Sequence, residues 1–137
     1  MYNKMKLMQI ANTLFTGGMT RSEALKEAWA VIKGQNIKVS GVTFGKRQRA
    51  IERLNKYAAE RVSYSLERDY SNPYDSSAIA VVASVAEKGS FTVGYVPAEI
   101  SKMIGPLIDR KIDFATRGRV ISGGIGFNYG LRLNIAV

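Results

Sequence analysis

Cysteine and histidine are both missing from the 137 residues. Without thiols there are no disulfides, no thiolate metal sites and no cysteine nucleophile. Without imidazole the chain lacks the commonest general base and the commonest transition-metal ligand. Most hydrolytic mechanisms are thereby closed to it, and we expect neither a metal site nor a cofactor. No run of about 18 apolar residues occurs, and the Met1-Tyr2-Asn3-Lys4 start lacks the apolar stretch of a secretion signal. The expectation is a cytoplasmic location with no membrane partner. Internal repeats, low-complexity tracts and glycosylation sequons are also missing. Gly124-Ile125-Gly126-Phe127-Asn128-Tyr129 fails the dinucleotide pattern, because its third glycine is absent and a strand rather than a helix follows. Acidic residues are scarce: 11 against 20 basic ones give a net charge of +9, a balance suited to a polyanion such as nucleic acid.

An apolar fraction of 46% over this length can build one domain and a small appendage. Leu7, Met8, Ala11, Leu14 and Phe15 recur at helical spacing until Gly17-Gly18. A second helix begins at the capping box Thr20-Arg21-Ser22-Glu23, carries the stripe Ala24, Leu25, Ala28, Trp29 and Ile32, and stops at Gly34. Residues 1–36 therefore read as a helical hairpin. So short a hairpin cannot bury two apolar faces alone. We expect it to dock on the following domain, with self-association or a protein partner through Trp29 as the second reading.

From residue 37 the period changes to that of strands. Residues 37–44 mostly alternate. Residues 46–61 read as an amphipathic helix with Ala50, Ile51, Leu54, Tyr57 and Ala58 inward and Lys46, Arg49, Arg53 and Lys56 on another face. Strands follow over 61–67, 78–85 and 91–96, the last two joined by a turn at Glu87-Lys88-Gly89-Ser90. Pro97 opens a helix carrying Ile100, Met103, Ile104, Leu107 and Ile108. Strands over 111–121 and 127–137 close the sequence, the second with Phe127, Tyr129, Leu131, Leu133, Ile135 and Val137 on one face. The fold class expected is mainly β with flanking helices. Residues 37–137 would form a small, partly open six-stranded OB-like barrel, and the hairpin would be appended to it.

One corner of that domain stands out. Between the strands over 61–67 and 78–85 lies Arg68-Asp69-Tyr70-Ser71-Asn72-Pro73-Tyr74-Asp75-Ser76-Ser77, a turn in which Pro73 fixes φ and Asp75 can cap amides two residues on. Tyr74 is thus held between constrained neighbours. An aromatic fixed in this way loses little entropy on binding a ligand; equally, the segment can be a well-made turn whose tyrosine packs on the barrel.

Taken in order, Gly41-Val42-Thr43-Phe44 with Arg47-Gln48, Leu66-Glu67-Arg68, Asn72-Pro73-Tyr74-Asp75, Ala78-Ile79-Ala80-Val81 and Val93-Gly94-Tyr95-Val96-Pro97 resemble the HIRAN domain over roughly residues 37–137. The resemblance implies an OB-like barrel with two helices that grips the 3′ end of single-stranded DNA, in a family with stand-alone bacterial and viral members. It implies that Tyr74 stacks on or hydrogen-bonds near the terminal nucleotide, and that Asp75 accepts from the 3′-hydroxyl while repelling a phosphorylated end. Phe127 matches an aromatic that stacks on an end base, and Phe44 a position held by tyrosine in the DNA-binding example. Arg47, Arg68, Asn72 and Tyr95 complete the expected DNA-binding set. The sequence departs from the pattern at Thr43, where that example has arginine, at Tyr95, where it has histidine, and at Ala98, where a lysine meets phosphate. Lys46, Arg47, Arg49, Arg68, Arg117 and Arg119 are the cations able to compensate.

The function expected is that of a non-catalytic module for single-stranded DNA or its 3′ end, serving replication, repair or processing. Two alternatives stay open. One is a protein-interaction adaptor using the hairpin. The other is a magnesium-dependent nuclease built on carboxylates such as Asp69, Asp75, Asp109 or Asp113, although no acidic pair has supporting spacing.

Overall fold

Two 13-residue helices, α1 (Lys4–Thr16) and α2 (Arg21–Lys33), open the computed structural model, which describes residues 4–122 and 128–136. The Thr20 hydroxyl accepts from the Glu23 amide at 3.2 Å, satisfying one orphan donor at the start of α2, and Gly34 ends that helix at φ +95°. Leu7, Ile10, Ala11 and Leu14 share one buried cluster with Ala24, Ala28 and Val31. Met8, Phe15 and Leu25, expected on the inward stripes, are exposed. The buried i, i+3, i+4, i+7 set of α1 starts at Leu7, and its narrow stripe takes Ile10 and leaves Met8 outside.

The strands form two antiparallel three-stranded sheets. One runs β1 (Gln35–Lys38), β6 (Gly130–Ala136), β5 (Ala115–Ile121); the other runs β2 (Val62–Arg68), β3 (Ile79–Val85), β4 (Gly89–Tyr95). The six strands expected as a partly open barrel form no single ladder among the described residues. The two sheets meet instead at two seams. At the first, Ser40 and Tyr95 form an isolated bridge, each amide donating to the other carbonyl at 2.8 Å. The close approach requires glycine at 94, where a Cβ would lie 2.5 Å from the Ser40 carbonyl oxygen. At the second, the Thr116 hydroxyl donates to the Tyr64 carbonyl and the Tyr64 ring covers Gly118. Burial there pushes the Tyr64 phenol up.

Two elements are shorter than their sequence period suggests. β1 stops at Lys38, because Gly41 at φ +72° and Gly45 at φ +59° turn the chain, so Phe44 is not in a strand. The helix expected over 46–61 is α3 (Arg47–Leu54) followed by a single 3-10 turn at Ala59–Arg61. After Leu54, the Lys56 and Tyr57 amides bond three residues back, to Arg53 and Leu54, and the helix ends. α4 (Ala98–Asp109) follows Pro97 and buries Met103, Ile104 and Leu107. β3 is buried on both faces from Ile79 to Ala83, as its unbroken apolar run implies.

On β6, Leu131, Leu133 and Ile135 face the core, as their alternation predicts. The hairpin docks on this body, α1 against α4 and α2 against β6, with Trp29 half-buried against the same core. Among the described residues, no helix is long and apolar enough to cross a membrane.

Candidate functional site

The corner between β2 and β3 is built by two Asx turns. Asn72 Oδ1 accepts from the Tyr74 amide at 2.8 Å and from the Asp75 amide at 3.0 Å, while Asp75 Oδ1 accepts from the Ser77 amide at 2.9 Å. The Asp69 amide donates to the Ala78 carbonyl at 2.9 Å, closing the corner's base. Tyr74 is 95% exposed on the fixed loop, so it does not pack on the core.

A chain of contacts leads from this loop to the turn after β1. The Tyr95 hydroxyl donates to Asp69 Oδ2 at 2.9 Å, and the Ser71 hydroxyl to Asp69 Oδ1 at 3.0 Å. The Tyr95 hydrogen bond, then that of Ser71, holds the Asp69 carboxyl below its ordinary 3.8, with Asn72 adding to the effect. The same Tyr95–Asp69 bond, aided by desolvation, lifts the Tyr95 phenol above its ordinary 10.0. Over the Tyr95 ring, at 5.3 Å from its centroid, sits the Arg47 guanidinium, which also lies 5.2 Å from the centroid of Phe44. Arg47 Nη1 donates to the Gly41 carbonyl at 2.8 Å, and Phe44 is 73% exposed. Phe44, Arg47, Tyr95, Asn72, Tyr74 and Asp75, six of the residues singled out in the sequence, therefore form one contiguous surface.

Arg68 is placed differently. Its Nε and Nη2 donate to Asp109 at 3.1 and 3.3 Å, its Nη1 donates to the Ser77 carbonyl at 2.8 Å, and the Tyr70 ring lies 5.0 Å from its guanidinium carbon. The Tyr70 hydroxyl donates to the same Asp109 carboxylate at 2.6 Å. Arg68 thus ties the far end of the corner to the end of α4 instead of offering a free cation. Phe127 lies outside the described residues.

Three residues of the assembly lie outside the expected DNA-binding set: Asp69 and Asp109, named only as carboxylates of the nuclease alternative, and Gln48. The Gln48 amide donates to the Val42 and Tyr129 carbonyls at 2.9 and 2.8 Å and accepts from the Tyr129 amide at 2.7 Å, which anchors the Phe44 turn to the start of β6. Asp69 and Asp109 find their partners across 26 and 41 residues of chain, and no local spacing signals such pairs.

Chemically, the surface offers exposed aromatic faces, one guanidinium between two rings and carboxylate acceptors. Among the described residues, no three carboxylates gather where a metal ion would need them. The HIRAN domain profile matches residues 33–135. The crystal structure of the HIRAN domain of human HLTF aligns with a TM-score of 0.43 at 21% identity, covering 74% of this chain and 74% of that one. No curated protein matches the sequence.

Proposed function

The chain belongs to the HIRAN family, and from that premise we propose that it is a non-catalytic module that binds single-stranded DNA by its 3′ end. The observation that carries this reading is Tyr74, an aromatic almost wholly in solvent on a loop whose backbone is fixed by Asn72. Base stacking on such a ring contributes about 1–3 kcal/mol and tolerates any sequence. In this reading Tyr74 stacks on the terminal nucleotide, and Asp75, whose Oδ1 holds the Ser77 amide, offers its other oxygen to the 3′-hydroxyl. Arg47 meets the backbone between Phe44 and Tyr95, and Phe127 keeps the end-base stacking role that the sequence resemblance implies. Arg68 becomes a positioning residue. The binding module of this reading is residues 37–137, a partly opened OB-like arrangement of the two sheets, and residues 1–36 carry the helical hairpin that packs on it.

Fluorescence anisotropy with labelled single strands carrying free or phosphorylated ends tests this. The expected result is micromolar or tighter binding at about 50 mM salt, weaker at higher salt and weaker again for a 3′-phosphate. Absence of binding to every single strand would overturn it. That outcome would favour a second reading, an interaction adaptor, for which the exposed Met8, Phe15 and Leu25 of the hairpin are the supporting observation.

A further inference from the structure

The outward face of the β1–β6–β5 sheet breaks a rule of strand pairing. Lys38 stands directly opposite Arg132, and Arg132 directly opposite Arg119, so three cations form one row across three strands. The next row on the same face is Asn36, Asn134 and Arg117. Lys38, Arg117, Arg119 and Arg132 are all exposed, and Leu131, Leu133 and Ile135 fill the opposite face. Like charges directly opposite each other destabilise a sheet. Nothing on these strands relieves them, for the three carry no aspartate or glutamate, and the Arg68–Asp109 ion pair lies elsewhere.

Protection of sheet edges accounts for charged residues on β1 and β5, but not for Arg132, which occupies the central strand. Neighbouring strands lie about 4.8 Å apart and alternate residues about 6.8 Å apart, so the cations fill a patch of about 10 by 7 Å. Asn134 donates to Asn36 across the second row at 3.1 Å, which orders the floor beside them. The row also adjoins the corner. Lys38 is two residues before Ser40, which pairs with Tyr95, a separation of at most about 7 Å along extended chain.

We infer that this face is a second nucleic-acid contact, in which Lys38, Arg119 and Arg132 hold the phosphodiester backbone without reading bases. The inference rests on the reading of the corner as an end-binding site. It adds that the footprint extends beyond the terminal nucleotides. The backbone held is that of the bound strand or of a duplex behind its end.

Binding of the full chain to a strand of about 6 nucleotides, a strand of about 20 and a blunt duplex of about 20 base pairs is titrated across salt. The parent, Lys38→Gln/Arg132→Gln and Tyr74→Ala are compared. The double variant is expected to match the parent on the short strand and to bind the long strand several-fold more weakly. Its log–log salt slope on the long strand should be smaller by about 1.4, two contacts at about 0.7 each. A loss confined to the duplex supports the face with duplex as its ligand. Parental affinity and slope on both longer ligands overturn the inference. Unchanged short-strand binding by Tyr74→Ala overturns the corner reading instead. The melting temperature of the double variant should hold or rise, since opposed like charges are removed.

Discussion

Tyr74 owes its position to a single side-chain oxygen. Asn72 Oδ1 serves two consecutive amides, so Asn72→Ala is expected to lose about 1 kcal/mol of stability. Hydrogen exchange at the amides of residues 74 and 75 should quicken, with DNA affinity falling toward that of Tyr74→Ala. Tyr74→Ala itself, at an exposed site, should leave stability within about 0.5 kcal/mol of the parent and weaken binding by about 1–3 kcal/mol. The Tyr95–Asp69 hydrogen bond has an acid and an alkaline limit. Asp69 is depressed below 3.8, so the stability it adds is present above that value and is lost as pH falls through the lower folded one. Tyr95 is raised above 10.0, so its share is present below that value and is lost as pH rises through the higher folded one. Between these limits the bond is constant. Carboxyl NMR titration of Tyr95→Phe should move Asp69 back toward 3.8; an unmoved titration would mean that the phenol is not its main partner.

At the scale of the element, the seam between the sheets depends on the close approach at Gly94. Gly94→Ala puts a Cβ 2.5 Å from the Ser40 oxygen and from Val39 Cγ1 and should cost about 1–3 kcal/mol in urea unfolding, with Tyr95 displaced from Arg47. This seam also marks where the sequence stops being legible. The odd-numbered core positions of β6, the unbroken apolar run of β3, the Thr20 cap and the Asx turn at Asp75 are local patterns, and the structure contains each of them. The first strand reads on to residue 44 because Val42 and Phe44 alternate with polar neighbours. Two glycines with positive φ decide otherwise, and alternation is blind to φ. Arg68 looks like a phosphate ligand until Asp109 is seen beside it. The fold brings these residues together across 41 positions of chain. Whether six strands close into one ladder likewise depends on contacts between strands distant in sequence, such as Ser40 with Tyr95.

For the whole molecule, the hairpin is part of the core. Leu7, Ile10, Leu14, Ala28 and Val31 lie in the same buried cluster as Ile104, Leu107 and Leu133. Full burial of a leucine, isoleucine or valine contributes about 1.5–3 kcal/mol. A chain beginning at residue 34 is therefore expected to melt well below the parent in a circular dichroism scan. An unchanged melting temperature would make the hairpin a separable appendage. The docking has an optical corollary. Trp29, the single tryptophan, carries the Lys33 ammonium 5.8 Å from its ring, in a hollow shared with Lys26 and Ala30 and with no residue of the Asn72–Asp75 loop. Its indole emission therefore reports hairpin detachment from a place remote from the corner. The unlabelled, unmutated protein thus carries a built-in spectroscopic probe of its own integrity.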